Sequence, residues 1–183
     1  MHYDSFPQFK GGLQEAGFQG SEIKIEILFA YYNHARQQAS LILGRLSDVK
    51  PLVEKYGTAF EGGKGQLLIT PQGYSSEMDQ KQGSKWSLWL NDCFILGGIH
   101  SHATFYLKSN PDALDYLDKN NQFVFNVTQR ELIGLITFGY SRSDRNDPRG
   151  LEYKCTEGGL ADAATFRSYI DQVQTLAAAS KGF

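Results

Sequence analysis

The chain has 183 residues, of which 41% are hydrophobic, 13% aromatic and 21% charged, a composition that excludes a disordered or collagen-like chain and suffices for a core of its own. Eighteen Lys and Arg against twenty Asp and Glu leave a net charge of -2, so no global field draws the molecule to nucleic acid. Two cysteines, Cys93 and Cys155, are too few for a disulfide framework and lack metal-ligand spacing.

Met1 to Gly12 has no basic start followed by an apolar run, and no apolar stretch approaches the ~20 residues that cross a bilayer. A soluble protein of the cytoplasm is expected, with signal-independent export left open. From Ser21 to Leu46 the apolar residues Leu28, Tyr31, Ala35, Ala39, Ile42 and Leu46 recur at helical spacing, which predicts one long helix capped by Ser21 and stopped near Gly44. The alternation of Ile23, Ile25, Ile27 and Phe29 allows a short strand at its start instead. Ser47 then caps a second helix through Val49, Leu52, Val53 and Tyr56 to Gly57, with Pro51 tolerated in its first turn.

Short aromatic and β-branched runs at Gln66–Ile69, Trp86–Leu90, Phe94–Gly97, Thr104–Leu107 and Gln122–Val127 predict strands of a mostly antiparallel sheet, with glycine pairs such as Gly97-Gly98 as punctuation. Thr128-Gln129-Arg130-Glu131 has the form of a capping box. It opens a helix with Leu132, Ile133, Leu135, Ile136 and Phe138 on its apolar face and Gly139 as its stop. Glu131 is thereby assigned to capping, and Arg130 is left to face a partner. Arg142, Arg145 and Arg149 are interleaved with Asp144 and Asp147 and read as a solvated loop, which makes nucleic-acid binding unlikely to be the function. Leu151, Tyr153 and Cys155 alternate as a last strand. Leu160, Ala164, Phe166, Tyr169, Ile170, Val173 and Leu176 predict a closing amphipathic helix. The expected architecture is a single α+β domain over 1–183, its central sheet packed against a long N-terminal helix, a mid-chain helix and a C-terminal helix.

The most chemically suggestive stretch is Gly97-Gly98-Ile99-His100-Ser101-His102-Ala103-Thr104. On a strand, histidines at i and i+2 point to one side about 7 Å apart. Such a pair can share a zinc ion given a third ligand, for which candidates lie downstream in Ser109-Asn110-Pro111-Asp112. Without metal, one imidazole can serve as base and the other as acid, with Lys108 as the adjacent cation. The plainer reading is a hairpin whose polar groups satisfy local backbone.

The spacing over 100–112 resembles the signature of the JAMM (MPN) metalloproteases, with Ala103 where that family has proline and one residue fewer before the serine. The resemblance implies His100, His102 and Asp112 as metal ligands, Ser109 as oxyanion support, and Glu61 or Glu77 as base. Elsewhere, Gly73 to Asp79 lacks the second glycine of a nucleophile elbow, and Gly62-Gly63-Lys64-Gly65 lacks the ending of a phosphate-binding loop. Tyr31, Tyr32, Asn33, His34 and Arg36 either line a cleft or pack a core with a solvated edge.

Gly12 to Gly17, Leu96 to His100 and Val127 to Leu135 together resemble small bacterial proteins of type VI secretion and polymorphic-toxin loci. That resemblance implies a protein-binding immunity or accessory factor. The alternative is a small effector-type hydrolase built on His100, His102 and Ser109, and a third option is a small ligand held between sheet and helices.

Overall fold

The computed structural model describes residues 3–44, 48, 49, 51, 52, 65–67, 86–110, 127–156 and 166–180. Its elements are α1 (Phe6–Glu15), α2 (Glu22–Arg36), β1 (Ser40–Leu43), β2 (Gly65–Leu67), α3 (Trp86–His100), β3 (Thr104–Leu107), α4 (Val127–Thr137), β4 (Tyr140–Asp147), β5 (Gly150–Cys155) and α5 (Phe166–Ser180). The arrangement is α+β. Residues 48, 49, 51 and 52 are helical, as the Ser47 cap predicts. The rest of that predicted helix, residues 122–126 of the strand predicted over Gln122–Val127, and Leu160 and Ala164 lie outside the described residues, while Val127 is not strand but the first residue of α4.

The sheet runs β2-β1-β3-β5-β4. It is mixed rather than mostly antiparallel: β1 pairs parallel with β2 and β3, whereas β5 pairs antiparallel with β3 and β4. Period-2 alternation sorts its residues onto two faces. Leu41, Leu43, Phe105, Leu107 and Tyr153 face the helices and join the main core, while Ile42 and Tyr106 face away and pack on Val49 and Leu52.

Two expectations are overturned by this arrangement. The long helix from Ser21 stops at Arg36, because Leu41, Ile42 and Leu43 are needed on both faces of the sheet and a strand buried on both sides reads as a continuous apolar run. Gly44 follows the strand at φ +144°, where a Cβ would stand 2.8 Å from Ser109 Oγ. The second correction is larger. Trp86–Leu90 and Phe94–Gly97 are not strands but the two halves of α3, and Asn91-Asp92 is not a turn between them.

α3 misleads because every residue from Leu90 to His100 is buried, so no polar face marks a helical period. The Gly97-Gly98 pair is what lets it lie there. A Cβ on Gly97 would be 2.2 Å from the Tyr32 carbonyl oxygen of α2, and one on Gly98 would be 2.4 Å from Leu41 Cδ1 of the sheet. The glycines thus set the close spacing of three layers, α2 on α3 on β1 and β3.

The remaining elements follow sequence signals. On α2, Ile25, Leu28, Tyr32 and Ala35 form the buried stripe, and on α5 Phe166, Tyr169, Ile170 and Val173 do so. α4 ends at Gly139, whose φ of +77° suits a glycine stop. Thr128 lies within α4 rather than before it, one residue past the helix start at Val127, and Oε2 of Glu131 has no hydrogen-bond partner. The arginine-rich stretch is not a loop. Arg142 and Arg145 lie exposed on the edge strand β4, a placement that keeps an unpaired edge charged, and Arg149 sits in the turn to β5.

Candidate functional site

The central helix α3 carries buried polar side chains near its middle, at Asp92, and at its C-terminal end, at His100. At its C-terminal end His100 is only 3% exposed and its Nδ1 shares a hydrogen bond with the Tyr32 hydroxyl. That hydroxyl also accepts the Tyr3 N–H at 3.3 Å, and the Tyr3 hydroxyl in turn accepts the Phe166 N–H at 3.0 Å. The Tyr3 ring stacks on Phe166 with centroids 5.2 Å apart. Burial pushes both phenols above their ordinary range. His100 therefore ties α3 to α2, to the N-terminal segment and to the start of α5.

His102 goes elsewhere. α3 ends with Ser101 N–H on the Gly97 carbonyl and Ala103 N–H on the Gly98 carbonyl, which places His102 in the left-handed region at φ +54° and on the surface. The picture of two imidazoles side by side on one strand is overturned, since His100 belongs to a buried helix and His102 to the turn that leaves it. Ser109 is buried beyond the end of β3 against Gly44. Asp112, Glu61 and Glu77 lie outside the described residues. Among the described residues no three His, Cys, Asp or Glu side chains stand close enough together to hold a metal ion.

Two helical turns back from His100, near the middle of α3, stands a constellation that sequence reasoning missed. Asp92 and Arg130 form a buried two-pronged ion pair, Nε to Oδ1 at 2.9 Å and Nη2 to Oδ2 at 2.7 Å. Glu131, the next residue of α4, is 5% exposed, and its Oε2 has no hydrogen-bond partner. Burial, with the Asp92 charge second, pushes its carboxyl up to about 8, so it is protonated at neutral pH. The Tyr169 hydroxyl of α5 is also buried without a partner and lies 2.9 Å from where a Gly134 Cβ would be. Burial, then the Asp92 charge, raises this phenol well above its usual range. Burial likewise raises Asp92, with the Arg130 guanidinium pulling against it, and raises the adjacent Cys93 thiol far up.

A signal for this cluster exists in the sequence. Arg130 and Glu131 stand one helical turn before Gly134 and Leu135 and two before Phe138, on the stripe of α4 that is buried. Chemically the group offers a neutral carboxylic acid, a phenol and a neutralised ion pair in a dry environment.

A third polar group lies on the far face of the sheet and is satisfied. Glu152 accepts from Ser143 Oγ at 2.8 Å and Tyr106 Oη at 3.2 Å and pairs with Lys154 at 3.0 Å; these partners hold its carboxyl below its usual value despite burial. Arg149 lies 3.7 Å over the Tyr106 ring and chelates Asp147. Of the α2 residues considered for a cleft, Tyr32 is core and His34 is exposed, which is the packed-core reading with a solvated edge.

Among the described residues no helix is long and apolar enough to cross a membrane. Among the described residues, the large hydrophobic side chains left most exposed are Ile23 on α2, at 69%, and Ile136 on α4, at 58%. Compared with family models, curated proteins and solved structures, the chain matches none.

Proposed function

We propose that the chain is a recognition protein, a bacterial immunity or accessory factor of a secretion or toxin locus that acts by binding another protein. The observation that supports this reading is the use made of His100. The imidazole best placed in the sequence for chemistry is held on Tyr32 under the Tyr3 ring, where it joins three elements and meets no solvent. What faces outward is a mixed-charge edge strand and two aliphatic side chains, Ile23 and Ile136, which suit contact with a protein surface.

The test is co-expression with the product of the adjacent gene, followed by measurement of complex mass and affinity. The reading expects a defined complex that is unaffected by His102→Ala and weakened about tenfold or more by Ile136→Glu or Ile23→Glu, the loss of about 1.4 kcal/mol or more of binding. Absence of any complex, or a hydrolytic activity of the purified protein that disappears in His102→Ala, would overturn it.

A further inference from the structure

Where α4 meets α3 at Asp92, two carboxyl groups stand with one guanidinium. Both prongs of Arg130 are taken by Asp92, leaving Glu131 Oε2 with no partner in a site closed to water. A buried carboxylate without a counter-charge or hydrogen bond is far costlier than the neutral acid. The packed arrangement of α3, α4 and α5 is thus compatible with Glu131 only while it carries its proton.

We propose that Glu131, together with Asp92, Arg130 and Tyr169, is a proton-operated latch that holds α4 and α5 on α3, and that release of the proton loosens this pair while the His100 end of α3 stays closed. The step is simple: the carboxyl O–H of Glu131 breaks, the proton passes to base in bulk water, and the carboxylate gains hydration only if α4 moves outward. The groups that act on Glu131 come from each neighbour. α3 supplies Asp92, whose negative charge opposes ionisation; α5 supplies Tyr169, a phenol kept neutral by burial; α4 supplies Arg130, already engaged. Cys93 on α3 remains a thiol, and Tyr140 on β4 is kept neutral by burial first and by Cys155 second.

The sign follows from the direction of the shift. The packed form binds the Glu131 proton more tightly than the opened form, so stability of the junction is complete below the ordinary glutamate range and is lost as pH rises towards the packed value. Between 4.5 and about 8 the opening equilibrium grows about tenfold per pH unit, and it levels off above.

The experiment is hydrogen exchange on the full chain at several pH values, corrected for intrinsic rates. Between about pH 5.5 and about pH 7.5 the amides of α4 and α5 should lose about 100-fold in protection, while α1 and α2 keep theirs. In Glu131→Gln, which keeps the shape and cannot ionise, the α4 and α5 protection should be flat across that range. Parallel profiles for the two proteins, or a loss spread equally over all helices, would overturn the latch. If Glu131→Gln does not fold, carboxyl carbon NMR of Glu131 in the unaltered chain decides: a midpoint near 8 supports the proposal, and one near 4.5 overturns it.

Discussion

The Asp92 and His100 positions of α3, two helical turns apart, solve one problem in opposite ways. Both place polar side chains in an interior packed with aromatic rings. At the His100 end, an imidazole and two phenols meet one another and two backbone N–H groups, Tyr3 N–H and Phe166 N–H. Around Asp92, an ion pair is complete but its neighbours are not, because Glu131 Oε2 and the Tyr169 hydroxyl are left over. The difference separates a joint that closes on hydrogen bonds from one whose leftover carboxyl closes on a proton count.

The contrast can be broken most forcefully at Arg130. Arg130→Met leaves Asp92 buried without its cation and should cost ~3–5 kcal/mol of unfolding free energy, measured by urea denaturation; a loss below ~1 kcal/mol would mean that the ion pair does not hold α4 to α3. Replacing Asp92 by Asn in that background should return much of the stability, since it removes the stranded charge. At the His100 position, Tyr32→Phe strips a hydroxyl from between Tyr3 N–H and His100 Nδ1 and should cost ~1–3 kcal/mol. Its urea midpoint should fall with rising pH in parallel with that of the unaltered chain, and a flattened profile would place the titrating group at the wrong position. The smallest effect is expected at His102, held at φ +54°. There His102→Gly relieves left-handed strain and should raise stability by up to ~1 kcal/mol, read as a higher Tm; a fall would show that its side chain holds the turn.

Much of the outer architecture was legible in the sequence. The buried face of α5, the strand β3 and the strand β5 sit where their periods put them, and Gly139 stops α4 as its position suggests. α1 was passed over, although Pro7 in the first turn and the spacing of Phe6, Phe9 and Leu13 mark an amphipathic start. The middle was misread for one reason. A helix wrapped on all sides needs no polar face, so α3 carries no period that distinguishes it from two buried strands, and its glycines look like turns when they are contact points. The candidate site followed that error: His100 and His102 share a side only on a strand. Arg130 and Glu131 were hidden differently, because a capping box accounted for them before their place on the apolar stripe was weighed.

Cys93 follows directly in the chain from Asp92, fully buried, with its thiol shifted so far up by burial that it has almost no nucleophilic form. Cys155, at the end of β5, is only partly covered. The protein therefore carries its own clock: under an alkylating reagent Cys155 should be modified before Cys93, and the slow appearance of the second adduct times exposure of the interior beside Asp92. No label need be engineered to follow it.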